Sequence, residues 1–209
     1  EVITVEPPFG MGSSRTLASS QGRRVPPFSE VNRAKLSTSI DLSTWKGKEV
    51  IHRLLSISDI LVQNYSPRAI RNLGLTYEEV NLVNPRLIMV SIPAVGLTGP
   101  WADIISFGPG CDALSGMCHL TGYEDGPPLK PGNFYADQST AYHVALGVLA
   151  ALEQRRRSGQ GQHVIVPLRR VLMATIGESF VESSIGGCSP NRKGNRDSYM
   201  APHNVYSCA

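Results

Sequence analysis

The segment RLIMVSI, residues 86–92, restricts the fold of this chain more than any other feature of the sequence. It is short and almost entirely apolar, with helix-like segments before it and a region rich in glycine and proline after it. An apolar run without polar alternation is typical of a strand that is buried on both faces of a parallel sheet. Such a strand needs helices on both sides, so the sequence indicates an α/β protein.

The other segments alternate in the order that such a sheet requires. Strands are predicted at residues 1–6, 36–42, 59–64, 86–92 and 163–166. Helices are predicted to begin after Ser43 or Thr44, after Ser66 with Pro67 in the first turn, and at the capping box of Thr76 and Glu79. Further helices are predicted at residues 111–122, ending at Gly122, at 137–157 and at 168–184, and residues 10–30 are predicted to be a long loop. The fold class is therefore an open, mainly parallel, Rossmann-like sheet flanked by helices.

Composition and charge exclude several classes of function. The chain is 41% hydrophobic and 18% charged, and its formal net charge of +3 is too small to indicate a nucleic-acid partner. No apolar run approaches the roughly 18 residues of a membrane span. The four cysteines form no CxxC pair, which favours a reduced, cytoplasmic setting. The spacing of Cys111, Cys118 and His119 does not fit the paired ligands of a zinc site, so no metal site is expected.

Asp137 is the residue whose position raises a chemical question. It follows a turn-forming Pro-Gly-Asn and begins a helix that is apolar nearly all round, which predicts a buried helix. One interpretation is an ordinary N-cap, although Asn133, Ser139 or Thr140 could fill that role equally well. The other is a carboxylate that helix-terminal N–H groups keep ionised, with a lowered pKa, and that acts as a covalent nucleophile on an activated acyl group.

Several blocks of the sequence resemble, in order, the family III CoA-transferases of the CaiB/BaiF type, which include formyl-CoA, carnitine-CoA and benzylsuccinate-CoA transferases. The blocks are VITVE, NRAKLSTSIDL, SDILVQNYSPRAIRNLGLTYEEVNLVNPRLIMVSI, SGMCHLTGYEDGPPLKPG, ALGVLAALEQRRRSGQGQHVIV and GNRDSYMAPHNVYSC. The resemblance implies that residues 1–187 form part of a large CoA-binding domain and that residues 188–209 begin the linker and small domain. Family members are about twice this long, so we expect a piece that lacks the first strand, which would leave a gap or an exposed edge in the sheet, and the C-terminal half.

The same resemblance implies a reaction and a set of site residues. Asp137 aligns with the family's nucleophilic aspartate, which moves CoA from an acyl-CoA donor to a carboxylic acid through a mixed anhydride and an enzyme–CoA thioester. The segment QNYS matches the family's E-N-F, so Asn64 and Tyr65 are expected at the nucleotide end of CoA, with Asp41 as a weaker candidate. Arg71 is expected to replace an arginine that the family often carries where this chain has Asn72. No tightly bound cofactor is expected, because CoA and acyl-CoA are substrates, and the partner chain would be a second copy in an interlocked homodimer.

Two other functions remain open on the sequence. The 2-methylacyl-CoA racemases share the scaffold but need a histidine opposite the aspartate, and Phe107 aligns with that histidine. No histidine lies between His52 and His119, which disfavours racemisation. A catalytically inactive remnant that only binds CoA is the other alternative. Similarity around Phe107 to the benzylsuccinate-type enzymes favours an aryl or dicarboxylic acid as substrate.

Overall fold

The computed structural model describes residues 1–8, 31–132, 134–187 and 189–208, so the loop predicted at residues 10–30 lies outside the described residues. The elements in chain order are β1 (Ile3–Glu6), β2 (Leu36–Ser39), α1 (Trp45–Ser56), β3 (Ile60–Gln63), α2 (Pro67–Leu73), α3 (Tyr77–Val83), β4 (Ile88–Ser91), α4 (Gly108–Leu114), α5 (Met117–Leu120), α6 (Tyr135–Ser158), β5 (His163–Ile165), α7 (Leu168–Thr175) and α8 (Gly177–Gly186).

The described strands pair only in parallel, which confirms the predicted class of sheet. β1 pairs with β2, with Ile3 opposite Leu36. β4 lies between β3 and β5, with Met89 opposite both Leu61 and His163. Within the described ranges no ladder joins the two sets of strands, so they form one sheet of two strands and one of three.

Three helices begin where the sequence predicts, because a side-chain oxygen replaces a missing helical hydrogen bond at each start. Thr44, rather than Ser43, caps α1 by accepting from the backbone N–H of Gly47 at 3.1 Å. Ser66 caps α2, which then ends at Gly74 in the left-handed region with φ 70°. Thr76 and Glu79 form the predicted capping box at the start of α3.

The three-stranded sheet lies between two helical layers. Each residue of β4 is buried, as the apolar RLIMVSI segment predicts. One cluster packs Met89 against α1, α2 and α3, and another packs Ile88 and Val90 against Ala151 of α6. A third cluster, which joins α4, α5, α6 and α7, contains Cys111, Met117, Ala136, Leu168 and Leu172. This third cluster packs against the first turn of α6, which contributes Ala136.

The prediction that α6 is buried all round is wrong. Tyr142, Leu146 and Leu149 are 78%, 66% and 64% exposed, while Val144, Val148 and Leu152 pack toward the sheet. An apolar pattern on every face shows what a helix can bury but does not show which face this part of the chain covers. The described residues cover the sheet-facing side alone.

Two predicted helices are each divided into two. The segment 111–122 contains the end of α4 and all of α5, separated at Gly116 with φ 91°, a conformation that glycine adopts without strain. The segment 168–184 is broken at Ile176, where α7 ends and α8 begins. The division proposed between residues 1–187 and 188–209 stays a prediction. Residues 189–208 contain no helix or strand, and Gly194 donates a backbone hydrogen bond to Gly122 at 3.0 Å.

Candidate active site

A cavity of about 260 Å³ lies at the C-terminal edge of the three-stranded sheet. The residues after β3, β4 and β5 and the first turns of α6 form its wall. In open α/β sheets this edge is where ligands bind, because the loops that follow parallel strands meet there. Its lining consists of Asn64, Tyr65, Ser66, Pro67, Ile92, Ala94, Ala102, Ile104, Ile105, Ser106, Phe107, Asp137, Thr140, Ala141 and Leu168.

Asp137 lies in the first turn of α6 and is the acidic residue of that lining. It is not the N-cap. Phe134 occupies that position with φ 55°, and no side chain makes a capping hydrogen bond there. Asn133, one of the caps considered from the sequence, lies outside the described residues. Of the two interpretations of Asp137, the structure excludes the N-cap and leaves a carboxylate that faces a cavity.

The close approach of Gly108 to Asp137 fixes the position of the carboxylate. A methyl group at Gly108 would overlap Asp137 Oδ2 and would lie 3.0 Å from Asp137 Cγ. A side chain at this position of α4 would therefore displace the Asp137 carboxylate, although the φ of Gly108 is ordinary. The sequence reasoning missed Gly108, and the Gly-Pro-Gly that follows Phe107 is the signal that could have identified it.

Burial raises the pKa of the Asp137 carboxyl above its ordinary value of 3.8, and a hydrogen bond from its own backbone N–H opposes the shift. The expectation of a lowered pKa is therefore wrong. The helix start does favour the anion, but the apolar cavity wall removes more water than the backbone replaces. Asp137 is exposed at the mouth of the cavity, so a ligand can reach the carboxylate that these walls partly desolvate.

A second carboxyl group, that of Asp112 on α4, is buried near Asp137 but does not line the cavity. The sequence reasoning also missed this residue. It is 0% exposed, and neither carboxyl oxygen has a hydrogen-bond partner in the described ranges. Burial raises the pKa of Asp112, the charge of Asp137 raises it further, and Lys130 opposes both. Between two interacting carboxyls with different surroundings, the more buried one keeps its proton longer. Burial and the charge of Asp137 thus both oppose ionisation of Asp112.

Thr140 lies one helical turn after Asp137 and lines the same cavity. Its hydroxyl is buried and, in the part of the chain that the structure describes, has no hydrogen-bond partner. Phe107, 75% exposed, lines the cavity at the position aligned with the racemase histidine, and no histidine is present among the described lining residues.

The four predicted CoA contacts divide into two pairs. Asn64 and Tyr65 line the cavity with Asp137, directly after β3. Asp41 instead closes a local turn before α1. There Asp41 Oδ1 accepts from the Ser43 hydroxyl at 2.6 Å and from its backbone N–H at 3.0 Å, and these bonds lower the pKa of Asp41. Arg71 lies outside the cavity lining, where its guanidinium is 3.7 Å from Asp103. The roles of all four in CoA binding stay predictions.

Helix α7 and the loop before α4 hold the far wall of the cavity. The backbone N–H groups of Leu168 and Arg169 donate to the carbonyls of Pro93 and Ala94 at 3.1 and 3.0 Å. The Arg169 guanidinium also stacks 4.7 Å from the centre of the Trp101 ring. These contacts join the segment after β4 to the segment after β5. The wall opposite Asp137 is thus built from pieces that are distant in sequence.

Together the parallel α/β fold and a carboxylate at the carboxyl edge of its sheet define a class of ligand-binding α/β proteins with a candidate nucleophile. Comparison with known proteins identifies the family: the chain belongs to CoA-transferase family III, whose profile matches residues 1–209. The succinyl-CoA–D-citramalate CoA-transferase of Chloroflexus aurantiacus is 35% identical over the whole of this chain and 52% of its own length. The formyl-CoA:oxalate CoA-transferase of Streptomyces avermitilis is 33% identical over 83% of this chain and 42% of its own length.

Solved structures show the same fold. A CaiB/BaiF family protein from Brucella suis superimposes with a TM-score of 0.86 at 30% identity, over 99% of this chain and 56% of its own. Rv3272 of Mycobacterium tuberculosis gives a TM-score of 0.78 at 27% identity, over 88% of this chain and half of its own. The chain spans about half the length of the curated relatives it matches. None of the helices in the described ranges is long and apolar enough to cross a membrane.

Proposed function

We propose that the protein containing this chain transfers coenzyme A from an acyl-CoA donor to a carboxylic acid, with Asp137 as the covalent nucleophile. The observation that carries the proposal is the Asp137 carboxylate at the mouth of the cavity that Asn64 and Tyr65 also line. Membership of CoA-transferase family III supports it. The relatives named above use succinyl-CoA or formyl-CoA and the acids citramalate or oxalate. A carboxylic acid acceptor is the class that these names share.

In the first half of the reaction, an Asp137 carboxylate oxygen attacks the thioester carbonyl carbon of the donor. The C–S bond breaks, CoA leaves as the thiolate, and a mixed anhydride joins the donor acyl group to Asp137. The thiolate then attacks Asp137 Cγ, and the donor acid leaves as its carboxylate. The product is an aspartyl-CoA thioester. No external oxidant, reductant or proton is needed.

In the second half the acceptor carboxylate attacks Asp137 Cγ, and CoA leaves again as the thiolate. The thiolate attacks the acceptor acyl carbon of the new anhydride, which forms the product thioester and releases the Asp137 carboxylate. Each intermediate keeps the acyl group activated, and water would destroy that activation by hydrolysis. The apolar residues of the cavity wall, such as Ile92, Ala94 and Leu168, suit this requirement because they exclude water from the reacting carbonyl.

The raised pKa of Asp137 has two consequences for this reaction. The nucleophile must be ionised in order to attack. Burial leaves the ionised carboxylate less well solvated than it would be in water, which makes it more reactive. When an acyl group neutralises Asp137, the cost of burying its charge disappears. The site thus favours the neutral anhydride and thioester over the free carboxylate.

The proposal is tested with the complete protein, an acyl-CoA donor and a panel of carboxylic acids. Asp137→Asn removes the nucleophile with almost no change of shape and should abolish transfer. The matched control is Glu178→Gln, which neutralises an exposed acid in the first turn of α8 and should transfer CoA at the wild-type rate. Retention of full transferase activity by Asp137→Asn would exclude Asp137 as the nucleophile.

Two finer features belong to the same proposal. We propose an interlocked homodimer, for which the exposed apolar face of α6 at Tyr142, Leu146 and Leu149 is available. We also propose a cytoplasmic location, where acyl-CoA substrates are present. Sedimentation of the complete protein measures the first, and a monomer at micromolar concentration would contradict it.

A further inference from the structure

A chain of polar groups runs from the edge of the cavity into the core between β3, β4 and β5. The backbone N–H of Tyr65 donates to Gln63 Oε1 at 2.7 Å, and Gln63 Nε2 donates to Ser91 Oγ at 2.8 Å. Ser91 Oγ lies 2.8 Å from His163 Nε2. Gln63 and Ser91 are 8% and 1% exposed, so these groups depend on one another rather than on water.

The chemistry of the groups fixes the direction of the first two hydrogen bonds and favours one direction for the third. A backbone N–H can only donate, so the oxygen of the Gln63 amide must face Tyr65 and its nitrogen must face Ser91. Ser91 Oγ accepts from that nitrogen, and its own hydrogen then needs an acceptor. Within the described residues His163 Nε2 is the acceptor at hydrogen-bond distance. Donation by Ser91 to His163 Nε2 gives that hydrogen its acceptor, and this arrangement requires a neutral imidazole with its proton on Nδ1.

The surroundings of His163 agree with a neutral ring. Burial lowers the pKa of His163, and the opposing charge of Glu78 on α3 does not cancel the effect. The ring of Tyr77, also on α3, stacks on the imidazole with centroids 4.9 Å apart and an angle of 16°. This chain of polar groups from Tyr65 to His163, the relay, thus ends against the ring of Tyr77 on the helical layer that covers this face of the sheet.

We propose that Gln63 is a positioning residue, which fixes the backbone of Asn64 and Tyr65 along the cavity through a relay that ends at His163. Gln63 touches neither the cavity nor the nucleophile, but the chain turns out of β3 immediately after it, and the next four residues line the cavity. Loss of the Gln63 acceptor would leave the Tyr65 N–H without its partner and free the turn to move. The expected consequence for CoA binding rests on the proposed function, whereas the relay itself does not.

Two substitutions at Gln63 separate positioning from the rest of the relay. Gln63→Met keeps the length of the side chain and removes both hydrogen bonds, so the KM for acyl-CoA should rise about tenfold or more, with kcat changed much less. Gln63→Glu still accepts from Tyr65, so its KM should stay near the wild-type value. Its carboxylate also accepts from Ser91, which turns the Ser91 hydroxyl away from His163.

The pKa of His163 should respond to this change in the hydrogen bond of Ser91. In Gln63→Glu, Ser91 Oγ can accept from a protonated His163, and the new carboxylate favours the imidazolium, so the pKa of His163 should rise. The complete protein, labelled at histidine, gives this pKa by NMR titration. Gln154→Glu, which makes the same charge change at an exposed position on α6, should leave the pKa of His163 unchanged.

The outcomes distinguish the relay from the proposed function. A rise in the KM of Gln63→Met together with a raised His163 pKa in Gln63→Glu supports the proposal. An unchanged KM in Gln63→Met, or an unchanged His163 pKa in Gln63→Glu, overturns it. If the wild-type protein transfers no CoA, the proposed function fails, and the His163 titration still tests the coupling between Gln63 and His163.

Discussion

Gly108→Ala should separate the stability of the protein from its activity. The added methyl would overlap Asp137 Oδ2, and the other nearby atoms are Asp137 Cγ at 3.0 Å and Ala136 Cβ at 3.6 Å. The atom that must move is the end of a side chain rather than backbone, so the carboxylate can rotate away. The substitution also removes backbone entropy from the unfolded chain, which favours folding by about 0.4–1 kcal/mol.

These opposing effects predict a free energy of unfolding within about 1 kcal/mol of the wild-type value. Activity should respond differently, because the displaced atoms belong to the proposed nucleophile. A displacement of about 1 Å from the productive position costs roughly 100-fold in rate, or about 2.7 kcal/mol of activation free energy. We expect kcat/KM to fall by at least that factor.

Denaturant unfolding and steady-state CoA transfer, both on the complete protein, measure the two quantities. The matched control is Gly177→Ala. It also changes the first residue of a helix, but no atom lies within 4 Å of the methyl it adds. That variant should be as active as wild type and equally or slightly more stable. Wild-type activity in Gly108→Ala would refute the argument that this contact places the carboxylate.

Two further predictions follow from the carboxyl groups. Because burial raises the pKa of Asp137, the acid limb of kcat/KM should lie above the ordinary aspartate value of 3.8, and a limb at or below that value would contradict the desolvated site. The pKa of Asp112 is also raised in the folded state, so the folded protein binds its proton more tightly than the unfolded chain does. Its contribution to stability is therefore greatest at low pH and is lost as pH rises through the folded pKa. Asp112→Asn should consequently gain stability relative to wild type over that rise, and a stability difference that does not vary with pH would refute this.

The parts of the fold that local chemistry determines could be predicted from the sequence. Thr44, Ser66 and the pair Thr76–Glu79 each cap a helix through atoms three residues away, so the necessary partners are visible in the sequence. The buried character of β4 follows from its uninterrupted apolar residues. Gly74 ends α2 because few other residues adopt its conformation without strain.

The properties that depend on distant parts of the chain could not be predicted. The sign of the pKa shift at Asp137 is decided by cavity walls that come from four separate segments, whereas the sequence shows only the helix start. The exposure of Leu146 depends on which elements pack against α6. The burial of Asp112 is equally hidden, because an acid in a short amphipathic segment normally faces water.

The most direct test of the account is the chemical state of Asp137 during turnover. The complete protein is incubated with acyl-CoA, treated with hydroxylamine, digested and examined by mass spectrometry. The account predicts an aspartyl hydroxamate at Asp137 that requires acyl-CoA, since hydroxylamine cleaves both the anhydride and the thioester. A protein that transfers CoA while Asp137 stays unmodified under these conditions would contradict covalent catalysis by this residue.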